Sequence, residues 1–197
     1  MTNAFDAENV AWKTAINGYR TTDSGSAKAG NIDNTAVSAA LTATHQAHSL
    51  TLSYQQIFGN EYFDYLHETA GIYLANAAFS DFNGPNEKSL RVRYETDWAR
   101  FGIPGWTTAI YYVTGWDIDG THYNPGAGNY ANYADVLAMD NEKHHEVGIV
   151  TTYVVQSGAL KNSRFNFRVT DHIASNHQVD GNVREVRMVS TFPFDFL

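Results

Sequence analysis

The sequence predicts an all-β fold: an antiparallel, up-and-down transmembrane β-barrel with about eight strands. Three observations point there. Apolar and polar residues alternate with the period of a strand over much of the chain, and no long stretch keeps the helical period. The gaps between the alternating stretches are long and short by turns. The large aromatic side chains gather at the short-turn ends of the strands.

The expected strands are 10–21, 32–44, 48–58, 87–98, 106–115, 145–156, 161–172 and 183–193. Each is about as long as a tilted bilayer crossing needs, roughly 9–11 residues. In the first, Trp12, Thr14 and Ile16 oppose Lys13, Ala15, Asn17 and Tyr19. In 87–98, Leu90, Val92, Tyr94, Thr96 and Trp98 oppose Arg91, Arg93, Glu95 and Asp97. In 145–156, Val147, Ile149, Thr151, Tyr153 and Val155 oppose Gly148, Val150, Thr152 and Val154. In 161–172, Phe165, Phe167 and Val169 oppose Arg164, Asn166, Arg168 and Thr170. In the last, Val186, Met188, Ser190 and Phe192 oppose Glu185, Arg187, Val189 and Thr191.

The gaps sort by parity. The gap 22–31 is medium, 45–47 short, 59–86 very long, 99–105 short, 116–144 very long, 157–160 short and 173–182 longish. A meander then carries its long loops at one end and its tight turns at the other, as outer-membrane barrels do. Residues 69–79 suit a short helix or a segment folded inward over a pore mouth. The Gly-, Asn- and Tyr-rich run within 116–144 suits a compact surface loop.

Two arrangements fit the alternation. In a soluble barrel or sandwich the apolar faces pack together; in a membrane barrel they meet lipid and the charged faces line a wet interior. An arginine facing mid-bilayer costs about 2–4 kcal/mol, so the second arrangement fixes the register firmly. Trp98, Phe101, Trp106, Tyr153, Phe192, Phe194 and Phe196 sit at or near short-turn ends, as an interfacial aromatic belt requires. The formal net charge of -8 argues against nucleic acid as a partner. Cysteine is absent, so neither disulfides nor thiolate chemistry is available. The opening residues MTNAFDAENVAWKT contain no apolar signal-peptide core. A fragment of an exported protein or an intracellular protein would each explain that.

Charge is unevenly distributed. The expected inner face carries Lys13, Arg91, Arg93, Arg164, Arg168 and Arg187 against Glu95, Asp97 and Glu185. The surplus acid lies in the loops, at Asp23, Glu61, Asp64, Glu68, Asp81, Asp117, Asp119, Asp135, Asp140 and Glu142. A positive strip in a low-dielectric wall focuses potential and draws anions along it. Arginine suits the task because it stays charged and grips carboxylates with paired hydrogen bonds. The plainer alternative is a set of arginines paired across strands with acids such as Glu95 and Glu185.

Other chemistry finds little support. His144 and His145, with Glu142 and Glu146, suggest a metal site, but adjacent strand residues point to opposite faces. Asp117-Ile118-Asp119-Gly120 starts like a calcium loop and lacks the glutamate at its twelfth position. Ser24-Gly25-Ser26 and residues 126–128 are flexible turns with no helix after them to bind phosphate. No nucleophile elbow appears, and no enzyme or cofactor is indicated.

Several runs resemble the OprD family of substrate-specific outer-membrane porins of Gram-negative bacteria. They are WKTAINGYRT (12–21), AHSLTLSYQQIFG (47–59), YLANAAFSDFNGPNEKSLRVRY (73–94), FGIPGWT (101–107), WDIDGTHY (116–123), KHHEVGIVTTYVVQSGALK (143–161) and TFPFDFL (191–197), in order over nearly the whole chain. The resemblance implies a monomeric barrel of eighteen strands in outer-membrane lipid and lipopolysaccharide. It implies an eyelet of inward-folded loops and a ladder of basic residues that guides small carboxylate-bearing solutes, such as amino acids or aromatic and other organic acids. Arg91, Arg93, Arg164 and Arg168 resemble rungs of that ladder, with Arg187 and Lys13 as further members. The likeness departs at Val150 and Thr152, where similar sequences carry inward charges, and at Tyr111, where a basic residue often stands. The motifs are those of the family's C-terminal half, so residues 1–197 are expected to be the C-terminal part of one porin domain. Alone, eight strands would leave two open edges or close around a filled interior. The alternatives are a soluble eight-stranded barrel that binds a small ligand, and an inactive porin remnant.

Overall fold

A computed structural model describes residues 2–7, 9–28, 30–63, 74–76, 78–124, 135–178 and 180–193, with side chains from residue 9 onward. Its strands are β1 (Thr2–Ala7), β2 (Val10–Thr22), β3 (Asp33–His45), β4 (His48–Phe58), β5 (Lys88–Asp97), β6 (Trp106–Ile118), β7 (Glu142–Val154), β8 (Arg164–Ala174) and β9 (Val183–Thr191). They form one antiparallel sheet in sequence order, with β1 and β9 at its edges. All eight expected strands are present. β1 adds a ninth, which the short run Thr2–Ala7 did not announce.

The sorting of connections holds over most of the chain and fails at its end. Residues 155–163 join β7 to β8, and residues 175–182 join β8 to β9, at nearly equal lengths. The expected short turn at 157–160 is a wider one. Backbone bonds between Val155 and the Asn162–Ser163 stretch hold it: Val155 N–H donates to the Ser163 carbonyl at 2.9 Å, and Asn162 N–H to the Val155 carbonyl at 2.9 Å.

Register fixes which residues share a face. Lys13 pairs with Thr42, Thr42 with Thr51, Thr51 with Arg93, Arg93 with Tyr111, Tyr111 with Gly148, Gly148 with Thr170, and Thr170 with Glu185. That row and every second row parallel to it form one face of the sheet. The opposite face exposes Val37, Leu41, Leu52, Val92, Ile110, Ile149, Phe167 and Met188. No helix among the described residues is long and apolar enough to cross a membrane. Each of β2 to β8 is hydrogen-bonded to a neighbour on both sides, the pairing that lipid favours.

At the short-turn end, aromatic pairs stand side by side. Ring centroids are 5.6 Å apart in Trp98–Phe101, 5.9 Å in Trp106–Tyr153 and 5.8 Å in Phe165–Phe192. Trp106 donates its indole N–H to Thr151 at 2.7 Å. An apolar ring with one polar handle is the form suited to a membrane boundary. Phe194 and Phe196 lie outside the described residues.

The β4–β5 connection turns inward over the charged face. Ile57, Phe63, Leu74 and Ala36 bury together with Tyr19 packed against them, and Phe82, Tyr111 and Val113 form a neighbouring cluster. The protein's apolar interior thus lies between loop and wall at the long-loop end. Of the expected inward segment 69–79, residues 74–76, 78 and 79 lie against the wall, and the rest falls outside the described residues.

The two faces should answer differently to one charge. Ile149→Arg should destabilise the protein by about 2–4 kcal/mol in urea unfolding from phospholipid vesicles. Val189→Arg, on the opposite face, should change stability by less than about 1 kcal/mol.

Candidate functional site

Alternate positions on successive antiparallel strands bring Lys13, Arg91, Arg93, Arg164, Arg168 and Arg187 onto one face, as the alternation predicts. Arg168 and Arg187 are direct cross-strand partners. Arg164 lies nearer the short-turn end, opposite Thr191. Lys13, Arg164 and Arg187 are exposed, while Arg91, Arg93 and Arg168 are half-buried.

The half-buried cations have partners within the fold. Arg91 donates to the Ala75 carbonyl at 3.4 Å, and its guanidinium sits 4.9 Å from the centre of the Tyr111 ring. Arg168 donates to the Ala78 carbonyl at 3.1 Å and to Glu185 at 2.7 Å. Arg93 pairs with Glu95 two residues along the same strand. The six residues therefore divide. Arg91 and Arg168 grip the inward loop, and Arg93 shares its charge with an acid. Among the described residues no carboxylate pairs with Lys13, Arg164 or Arg187.

Glu146 is the centre that the alternation did not single out. It is completely buried on β7. Its carboxylate accepts the Phe79 amide at 2.9 Å, the Ser80 amide at 3.1 Å and the Tyr111 hydroxyl at 2.5 Å. Tyr111 reaches it by lying across Gly148, where an added Cβ would meet the phenol ring at 2.2 Å. A second network binds the loop to β4 and β5. Ser53 donates to the Asn76 side chain at 2.7 Å, and Asn76 donates to Ser89 at 2.8 Å. The Gln55 side-chain carbonyl accepts the Asn76 amide at 3.2 Å, and its amide donates to the Phe82 carbonyl at 2.8 Å. The sequence signal was His144 and Glu146 at strand spacing on one face, but their partners come from a loop tens of residues away.

The other candidate groups have structural roles. His144 is buried on the inner face, and His145, on the other, lies beside Tyr112. No group of three or more His, Cys, Asp or Glu among the described residues is arranged to hold a metal ion. In the run that starts like a calcium loop, Asp117 pairs with Lys88 at 2.8 Å, and Asp119 accepts the Thr121 hydroxyl and amide at 2.7 and 2.9 Å. Those two bonds lower the Asp119 pKa. Glu61, in the loop after β4, accepts the Asp33 amide at 2.7 Å; burial raises its pKa, and that bond partly offsets the rise. The basic face is consequently less positive than expected, because Glu146 and Glu87 add acid beneath the loop.

The chain's likeness to known proteins agrees with this architecture. A family model described as "outer membrane porin, OprD family" matches residues 2–196. Porin D of Pseudomonas aeruginosa is 42% identical over 191 residues, covering 92% of this chain and 42% of that protein. The crystal structure of Pseudomonas aeruginosa OccD3 (OpdP) superposes with a TM-score of 0.90 at 53% identity, over 100% of this chain and 48% of that one. The crystal structure of the outer membrane protein OprD from the same organism gives a TM-score of 0.86 at 39% identity, over 98% and 50%. The chain thus spans about half the length of each solved porin and less than half of the curated relative.

Glu146→Gln keeps the shape and puts amide donors where Phe79 and Ser80 also donate. We expect a loss of about 2–3 kcal/mol. Amide exchange at Phe79 and Ser80 should speed up roughly tenfold or more. Unchanged exchange there would show that Glu146 does not hold the loop.

Proposed function

We propose that this chain, which belongs to the OprD family of outer membrane porins, supplies part of the wall and constriction of a channel for passive passage of small solutes, preferentially those bearing a carboxylate. The observation that carries this reading is the division of the basic face. Arg91 and Arg168 are committed to backbone carbonyls of the inward loop. Lys13, Arg164 and Arg187 keep exposed charges on the same face. A solute passing the loop would meet these cations in succession, with Arg93 between Lys13 and Tyr111 in its row.

The physics favours guidance over tight holding. Cations spread along a wall lower the energy of an anion at several points without one deep well, so entry and exit both stay fast. Arg93, paired with Glu95, can exchange that partner for a solute carboxylate at modest net cost, because the pair is partly open to water and an exposed ion pair contributes only about 0–1 kcal/mol. No proton transfer or covalent step is needed. A soluble ligand-binding barrel would bury the apolar face that this sheet turns outward.

The reading is tested in planar bilayers with the full-length porin bearing this chain. Arg187→Gln and Arg164→Gln should each lower permeation of a monocarboxylate such as benzoate by several-fold. A neutral solute of the same size should be little affected. Equal loss for both solutes would reduce these residues to structural parts. No conductance from the unaltered protein would favour an inactive remnant.

A further inference from the structure

A buried string of polar groups fastens the far end of the inward loop, and the solute pathway makes no use of it. Glu87 stands just ahead of β5, His144 on β7 and His172 on β8. Glu87 Oε1 lies 2.8 Å from His144 Nε2, His144 Nδ1 lies 2.9 Å from His172 Nε2, and His172 Nδ1 lies 2.7 Å from the Gly181 carbonyl oxygen. The second oxygen of Glu87 accepts the Gly84 amide at 2.8 Å. All three side chains are buried. The Phe82 ring covers His144 with centroids 4.1 Å apart. On β6, Gly115 leaves the space: a Cβ there would stand 2.0 Å from Glu87 Oε1 and 2.7 Å from the His144 ring. The nitrogens face one another end to end and do not converge on a point where an ion could sit.

Three hydrogen bonds in a row need three protons. The Gly181 carbonyl only accepts, so His172 Nδ1 carries one. The contact between the imidazoles needs one, and the contact between His144 and Glu87 needs another. An ionised glutamate with two neutral imidazoles holds only two. Every arrangement that satisfies all three contacts therefore contains one proton more and has zero net charge. The proton resides on an imidazole beside a carboxylate, or on the carboxyl itself. A neutral group is also what burial favours.

We propose that Glu87, His144 and His172 form a proton-holding clasp that fastens the inward loop and the β8–β9 connection to the wall while the extra proton is bound. Loss of that proton leaves one contact with two acceptors facing each other. Burial and the neighbouring His144 oppose a charge on His172, and the nearby acids partly offset that. Glu146 lies two residues along β7 on the same face, Asp180 adjoins Gly181 on the β8–β9 connection, and Glu142 faces Ser175 at the end of β7. From β6, Tyr111 is committed to Glu146. Lys143 lies on the opposite face from His144. On β9, Arg184 is paired with Asp171. The sign follows from linkage. The folded cluster holds a proton that the unfolded groups release above about pH 6.5, so the clasp is firm at mildly acidic pH and weakens as pH rises. Only its effect on permeation rests on the proposed function above.

The decisive variant is Glu87→Gln. Its amide nitrogen can donate to His144 Nε2 while its carbonyl accepts from Gly84, so all three contacts close around two neutral imidazoles with no extra proton. In the full-length porin bearing this chain, amide protection at Gly84 and Phe82, corrected for intrinsic rates, should fall several-fold between about pH 6 and about pH 9.5. Glu87→Gln should hold the same protection at both pH values, and Glu87→Ala should be loose at both. Brief closures in single-channel records should follow the same pattern. Protection independent of pH in the unaltered protein, or a Glu87→Gln protein as loose as Glu87→Ala or unable to fold, would overturn the clasp. Exchange is read whether or not the protein conducts, so a silent channel would count against the pathway and not against the clasp.

Discussion

The hydrocarbon core of a membrane offers no hydrogen bonds, and every backbone amide that crosses it must find a partner in the protein. The rest of this structure depends on that constraint. It dictates strands paired in an unbroken ladder, and a ladder has a side-chain period of two. One face must then suit acyl chains and the other can be polar. Once Phe167, Val169 and Ile149 face outward, Arg168, Thr170 and Val150 have no other place to go. A slip of one residue in β5, β8 or β9 would put guanidinium groups into lipid.

That same period made the fold legible. The positions of the strands, the division of faces and the aromatic boundary at Trp98, Trp106 and Tyr153 all follow from residues a few places apart. What stayed hidden lies across the interior. Glu146 looks like any inward strand residue until the Phe79 and Ser80 amides arrive from a segment far off in sequence. His144 was readable as not sharing an ion with His145; its bonds to His172 and Glu87 join three separate elements, and no local pattern encodes them. β1 was missed because six residues give too little periodicity to read. The β7–β8 connection was read too short because Val155 and Gln156 continue the apparent alternation past the last ladder pair, Val154 with Arg164.

The basic face carries two kinds of arginine that sequence cannot separate. Arg91 and Arg93 stand two residues apart in one strand and look equivalent. One reaches the backbone of the loop; the other meets an acid on its own strand. The difference is made by where the loop lies, and the loop lies there because Glu146, Asn76 and Gln55 satisfy its otherwise unpaired amides and carbonyls. An inward segment with buried backbone is costly unless each polar group is matched. The buried acids and amides of the wall do that matching, and Lys13, Arg164 and Arg187 stay exposed.

The order of the strands has an arithmetical consequence. Antiparallel neighbours alternate in direction, so β1 and β9, the two margins of a nine-membered meander, point the same way. They can join each other only as parallel neighbours. A ring in which every neighbour is antiparallel contains an even number of members, as bacterial outer-membrane barrels of a single chain do. To complete such a ring, this sheet requires an odd complement of further strands.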